Sequence, residues 1–298
     1  MYGVADLSVS DSNAPGVLVG LSGNKTLNNG NSRLGVRGTE DLGGGMKASF
    51  NFEQSVSAET GATDASTWQR AANMSLSGGF GSVVMGRSLT PSFFGVAAWE
   101  LTGTANYSVV GSQFGFAGVA DPRNSSFVSY TTPSMGGLTA TIGTGQRSAG
   151  PDLDLKTDMN VIYSAGPLTA GLSYNRYPKT ATPGTGNNAA LGAKYNFGAF
   201  QVAGSVQDPV GPRKGFTIGA GANLGPVSLV VDIARNTGIV RNALGAVTEP
   251  KSTDTLLEVK YPLSKRTFAY GAYQRDGYGT VAAPAAVNTY GVGLRHNF

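Results

Sequence analysis

The chain has 298 residues, of which 44 are glycine, none is cysteine and one, His296, is histidine; charged residues make up 13% and the net charge is +4. Soluble domains carry about 25% charged residues and about 7% glycine, so so little charge suits a surface facing something other than water. Disulfides and thiolate chemistry are excluded, a transmembrane helix is excluded by the lack of any run of about 18 apolar residues, and the positive charge is too small and scattered to argue for nucleic acid.

Taken in order, Met1 leads directly into Tyr2-Gly3-Val4 without a secretion signal, which suggests an artificial start or a shortened first strand. A first strand is predicted over 1–10. The next stretch, 31–57, holds two alternating runs joined by a glycine turn. Met46, Ala48, Phe50, Phe52 and Val56 share one face, while Lys47, Ser49, Asn51, Glu53, Ser55 and Ser57 share the other. Period two predicts a strand with one apolar and one polar face. The same hairpin recurs down the chain. Short Gly/Pro turns are expected near 40–45, 78–81, 133–137, 165–167, 197–199, 224–226 and 262–265, where those residues supply the backbone angles of tight turns. Between the hairpins lie longer polar segments near 10–31, 57–67, 89–123, 147–157, 177–187, 208–214, 236–252 and 276–288. Short turns alternating with long loops predict an all-β protein of about 16 strands: a single antiparallel transmembrane β-barrel spanning 1–298, with short periplasmic turns and long extracellular loops.

Later runs support this. Val227, Leu229, Val231 and Ile233 oppose Ser228 and Asp232; Leu257, Val259 and Tyr261 oppose Glu258 and Lys260. A charged polar face suits a water-filled lumen. Tyr130, Tyr163, Tyr195, Phe197 and Tyr261 sit at strand ends beside short turns, as a girdle at the lipid headgroups would. In the last strand Tyr290, Val292, Leu294, His296 and Phe298 share a face, and this aromatic ending resembles the signal read by the outer-membrane insertion machinery.

At 32–48 the sequence Ser-Arg-Leu-Gly-Val-Arg-Gly-Thr-Glu-Asp-Leu-Gly-Gly-Gly-Met-Lys-Ala resembles the general porins of Gram-negative bacteria, of the beta-proteobacterial, anion-preferring type. Tyr2-Gly3-Val4-Ala5-Asp6, Val84-Met85-Gly86-Arg87, Ser129-Tyr130-Thr131-Thr132-Pro133, Leu263-Ser264-Lys265-Arg266-Thr267 and Leu294-Arg295-His296-Asn297-Phe298 extend the resemblance over nearly the whole chain. It implies a 16-stranded barrel in the outer membrane, a homotrimer, and a third extracellular loop folded inward. That loop is expected at about 88–122 and carries Phe93, Phe94, Trp99, Phe114 and Phe116 to anchor it. Carried over by motif, Arg33, Arg70 and Arg123 would line the constriction with Glu53 as the matching carboxylate. Glu100 and Asp121 are the loop's own charges there. Arg37, Lys47, Lys194, Lys260 and Arg295 would charge the pore wall. Alternation puts Arg70 on the wrong face, with Met74 and Leu76, unless a β-bulge intervenes before Met74.

The function implied is passive diffusion of small hydrophilic solutes and ions, with a preference for anions because rings of arginine favour them. The expected surroundings are outer-membrane lipid and lipopolysaccharide, and the expected cargo small anionic and neutral solutes; no cofactor and no nucleic-acid partner are expected. A substrate-specific channel with a saturable site for small organic anions is the alternative. An enzyme is disfavoured, since the one histidine lies on the lipid-side face and no G-x-S-x-G elbow is present. Asp152, Asp154 and Asp158 are read as solvated loop residues, their spacing lacking the glycine and glutamate of a Ca²⁺ loop. A soluble lectin-like β protein is the remaining reading.

Overall fold

A computed structural model describes residues 1–14, 19–116, 122–146, 155–176, 186–209, 213–241, 247–277 and 285–298. Asp121, Asp152 and Asp154 lie outside the described residues. Sixteen strands form one closed sheet: β1 (Tyr2–Ser12), β2 (Arg33–Gly43), β3 (Met46–Ser55), β4 (Ala71–Gly78), β5 (Gly81–Leu89), β6 (Arg123–Thr131), β7 (Leu138–Gln146), β8 (Leu155–Ala165), β9 (Leu168–Arg176), β10 (Asn187–Asn196), β11 (Phe200–Asp208), β12 (Gly215–Leu224), β13 (Val227–Asn236), β14 (Ser252–Pro262), β15 (Thr267–Asp276) and β16 (Val287–Asn297). Each pairs antiparallel with the next, and β16 returns to β1 from Val4↔Asn297 to Ser12↔Thr289. The C-terminal Phe298 exchanges two backbone hydrogen bonds with Gly3, of 2.9 and 3.0 Å. Closure removes the free edges that an open sheet would expose to pairing.

Short turns gather at one end of the barrel and long connections at the other, as the hairpin pattern predicts. Gly45, Gly166, Gly198 and Gly225 in those turns have φ between 56° and 94°, a region that L side chains rarely adopt. The outward face is apolar around the sheet: Met74 is 60% exposed, Val206 60%, Ile218 59% and Val292 66%. A continuous apolar belt of this kind is stable only when lipid covers it. Tyr130, Tyr163, Tyr195, Phe197 and Tyr261 all lie exposed near the short turns. Phe197 stacks on Phe200 at 4.7 Å and meets the tilted ring of Tyr195 at 4.6 Å.

The third long connection turns back into the barrel. Its helix α1 (Pro91–Ala97) is capped by Thr90, whose hydroxyl accepts from the Phe93 N–H, with Pro91 in the first turn where its missing N–H costs nothing. Asp158 of β8 accepts from both the N–H (2.6 Å) and the hydroxyl (2.9 Å) of Ser92. Asn160 donates to the Pro91 carbonyl, and Ser173 of β9 to that of Ser92. Asp158 is therefore not a solvated loop residue: it is fully buried in a strand and holds the start of this helix. Helix α2 (Val109–Phe114) packs on β13 to β15, where Ser112 donates to Asp254 at 3.1 Å and Ser252 to Gln113 at 3.0 Å.

Between the helices the loop lies on an inner wall of small residues. A Cβ on Gly192 would stand 2.3 Å from the Trp99 ring, and one on Gly171 2.1 Å from the Gly95 carbonyl oxygen. Trp99, Val96 and Val110 bury against Ala190; Leu101 against Ala203 and Val230; Tyr107, Val109 and Phe114 against Ala234, Leu256 and Ala272. Much of the inward face of β8 to β15 is thus covered rather than wet.

The first long connection folds inward too. Its Gly20–Ser22 stretch pairs with Ser8–Ser10 of β1, beyond the three residues that β1 shares with β2. Asp6 of β1 is fully buried and accepts from Tyr270 Oη (2.6 Å), Asn28 Nδ2 (3.1 Å) and the Gly30 N–H (3.1 Å). Asp6→Ala would leave three buried donors unpaired at about 1–3 kcal/mol each. The detergent-solubilised variant is expected to lose about 3 kcal/mol of stability, read from its unfolding midpoint. An unchanged midpoint would mean that water replaces the carboxylate.

Candidate functional site

The covered half of the barrel leaves the open channel along β2 to β8 and β16. A cavity of about 920 Å³ lies there, and its charged lining residues are Arg33, Arg70, Arg123, Arg295 and Glu53. Four guanidiniums thus face one carboxylate among the described residues. Glu53 binds the group together. Its Oε1 is 2.7 Å from Arg70 Nε, its Oε2 is 3.4 Å from Arg33 Nε, and Tyr2 Oη donates to Oε2 at 2.9 Å. Arg123 Nε donates to the Arg70 carbonyl at 3.0 Å, and Arg295 donates to Asn29 Oδ1 at 2.8 Å.

The route by which each arginine arrives differs. Arg33 opens β2 and Glu53 pairs beside it across Gly35, so alternation suffices for both. Arg70 needs no bulge. The register from Lys47↔Ser77 to Glu53↔Ala71 is unbroken, β4 begins at Ala71, and Arg70 sits in the preceding loop after Trp68 at φ 57°. Leaving the strand, not kinking it, frees the Arg70 side chain from the outward parity. For Arg123 the simple count breaks: the β5–β6 register shifts between Gly86 and Ser88, with Ser126 at φ 52°. Arg123, the first residue of its strand, still lines the cavity.

Several expected members lie elsewhere. Glu100 is not a constriction residue: it is 3% exposed and accepts from the Thr102 and Thr104 N–H groups and the Thr102 and Ser108 hydroxyls, at 2.6–3.0 Å. A short carboxylate loop of this kind satisfies backbone donors that would otherwise be buried unpaired. Lys260 lies beneath the third loop, donating to the Thr102 carbonyl at 3.0 Å and pairing with Glu258 at 2.9 Å, rather than facing open water. Lys194 is partly buried in β10, where its neighbour across the sheet is Ala203. Lys47 is exposed near a short turn, and Arg37 stacks over the Tyr2 ring at 4.8 Å. Arg295, expected as a wall charge, joins the arginine group instead. Asp121 lies outside the described residues.

Sequence reasoning missed the polar frame of the cavity. Tyr2 shares the inward parity of Asp6 and Ser8, and it donates to Asn51 at 2.7 Å as well as to Glu53; Asn51 and Asn73 face inward beside it. Alternation already puts Asn51 on the polar face with Glu53, and the same rule could have found Tyr2 and Asn73. Asn106 could not be found that way, since it hangs from the third loop and donates to Asn31 at 2.7 Å. Tyr107, next in that loop, receives a hydrogen bond from Asn29 at 2.7 Å. Burial first, then the Glu258 charge, pushes its phenol well above the usual range, so it stays neutral.

The loop contributes no charge to the cavity among the described residues. It presents Gly103, Thr104, Asn106 and three phenylalanines. Nothing in this arrangement performs covalent chemistry. It offers a wet passage with fixed positive charge, flanked by low-dielectric protein that focuses its field.

The family model for the Gram-negative porin matches residues 1–280. Outer membrane porin protein 32 of Delftia acidovorans is 30% identical over 342 residues, covering 100% of this chain and 93% of its own length. An outer membrane porin of Bordetella pertussis is 28% identical and covers 90% and 82%. Among solved structures, the anion-selective porin from Comamonas acidovorans superimposes with a TM-score of 0.82 at 28% identity, over 100% and 98% of the two chains. With the closed barrel, the apolar belt and the arginine-lined passage already in place, these relatives make the chain a member of the Gram-negative porin family, a channel of the bacterial outer membrane and not an enzyme.

Proposed function

We propose that this porin passes small hydrophilic solutes down their gradients and favours anions, with Arg33, Arg70, Arg123 and Arg295 setting the preference. The observation that carries this reading is the excess of four guanidiniums over one carboxylate, Glu53, in the cavity lining. Arginine stays charged at every relevant pH and its fork geometry suits carboxylate and phosphate groups. Similarity to a solved anion-selective porin points the same way. The barrel would sit in outer-membrane lipid with lipopolysaccharide around the long loops, and three copies would assemble side by side, as the family resemblance implies.

The deciding measurement is the zero-current potential of the refolded channel in a planar bilayer under a salt gradient. An anion-selective sign is expected. It should weaken as salt rises, since the Debye length falls from ~10 Å at about 0.1 M to ~3 Å at about 1 M. It should persist from about pH 5 to about pH 8, because no guanidinium titrates there. A cation-selective sign at low salt would overturn the reading.

A further inference from the structure

We infer that the cavity binds aromatic carboxylates, monoanions with a flat apolar body, at a saturable site between the arginines and a phenylalanine cluster of the third loop. The inference rests on the anion-favouring reading above and adds to it a second, uncharged half of the site.

The observation behind it is an exposed ring, Phe94, held in the cavity by two half-buried rings, Phe93 and Phe116, the last of which packs against the Val96, Trp99, Val110 and Ala190 cluster. Phe93, Phe94 and Phe116 all line the cavity that holds Arg33, Arg70 and Arg123. Phe93 lies at the centre of the group. Its ring is 5.5 Å from Phe94 at 81° and 5.5 Å from Phe116 at 67°, both edge-on. Phe94 nevertheless remains 48% exposed, while Val96 and Trp99 of the same segment are buried against the wall. Anchoring of the loop is thus already supplied by Trp99, Leu101, Tyr107 and Phe114, and does not call for Phe94. A large apolar ring left facing water inside a protein marks a place where something apolar can dock.

The cluster is fixed, not loose. Thr90 caps the helix that carries Phe93 and Phe94, and the Asp158 and Ser173 contacts tie Ser92 to the wall strands β8 and β9. Arg123 is placed on the same side: its strand begins paired to Leu89, one residue before that cap, and Leu89 itself lines the cavity. A rigid apolar platform in the same cavity as guanidiniums is complementary to a molecule with a carboxylate at one end and a ring at the other. The carboxylate gains charge-assisted, fork-shaped hydrogen bonds. The ring gains edge-to-face packing and leaves water. Small hydrophilic anions such as acetate satisfy only the first half. Neutral aromatic molecules satisfy only the second.

The test uses the whole channel in a planar bilayer and measures chloride conductance while benzoate, acetate or benzamide is added. Benzoate is expected to reduce conductance saturably, with half-block at roughly a tenfold lower concentration than acetate, the equivalent of ~1.4 kcal/mol. Benzamide at equal concentration should block little. Phe94→Ala should raise the half-block concentration of benzoate toward that of acetate while leaving the sign of the zero-current potential unchanged. Equal, non-saturating effects of benzoate and acetate on the native channel would overturn the inference. So would a Phe94→Ala channel, conducting normally, that is blocked by benzoate as before. If the native zero-current potential is anion-selective but benzoate shows no preference, the site fails while the anion reading stands. If the potential is cation-selective, both fall together.

Discussion

Replacing Arg33 and Arg123 together by glutamate is expected to reverse the sign of the zero-current potential. The lining would then hold two arginines against three carboxylates, in place of four against one. A unit charge about 4 Å from an ion is worth ~1 kcal/mol in a water-like medium. Reversing one guanidinium therefore shifts a passing ion by ~2 kcal/mol, or roughly 30-fold in preference. The single alanine variants should give about half that shift each, with the same dependence on salt. Arg70 is a poorer choice for this experiment, because its 2.7 Å contact with Glu53 is shorter than the 3.4 Å contact of Arg33 and its loss would leave the buried carboxylate less well paired. If the double reversal leaves an anion-selective channel, the charges that govern permeation lie elsewhere in the passage.

The second large effect is expected at Gly192. Valine there would drive its Cβ into the indole of Trp99, which is 1% exposed and packed in a closed cluster with Val96, Val110 and Ala190. Overpacking of a filled site costs about 1–3 kcal/mol, and relief comes only if the loop lifts from the wall. Gly192→Val should therefore lower the unfolding midpoint and change the single-channel conductance in the same variant. Trp99→Ala alone should cost about 3–5 kcal/mol, the cost of an emptied aromatic site. The two changes are expected not to add. With the indole gone the valine has room, and the double variant should recover at least about 1 kcal/mol relative to the sum. Additivity within about 0.5 kcal/mol would show that Gly192 and Trp99 do not share one packing site.

These two experiments fall on opposite sides of what alternation in the sequence could convey. Period-two patterning depends only on which face of a strand a residue occupies, and that is a local property. It placed Arg33 and Glu53 inward, Val231 and Leu257 outward, and both sets lie so in the barrel. The same rule assigned Glu258 and Lys260 to the wet face. They are on that face, but the third loop lies over them, burying Glu258 and leaving Lys260 only partly exposed. Parity carries no information about what covers a face. The small residues Gly171, Ala190, Gly192 and Ala203, recurring on the inward parity of neighbouring strands, were the available sign that something packs there.

From its residues alone the chain determined its class, its hairpin count, the ends at which short turns and long loops gather, and the lipid belt. All of these follow from backbone geometry and side-chain alternation over about ten residues at a time. The tertiary structure decided three things. Glu100 became a buried clasp of its own loop, because Thr102, Thr104 and Ser108 fold back onto it. Arg70 entered the passage from outside its strand, and Arg295 joined it from the far end of the chain, because closure pairs β16 with β1, whose other edge pairs with β2. The phenylalanines line the same cavity as the arginines because the third loop folds back onto the inner wall at β8 to β10. Each of these depends on contacts between residues distant in sequence, which only the closed barrel brings within reach.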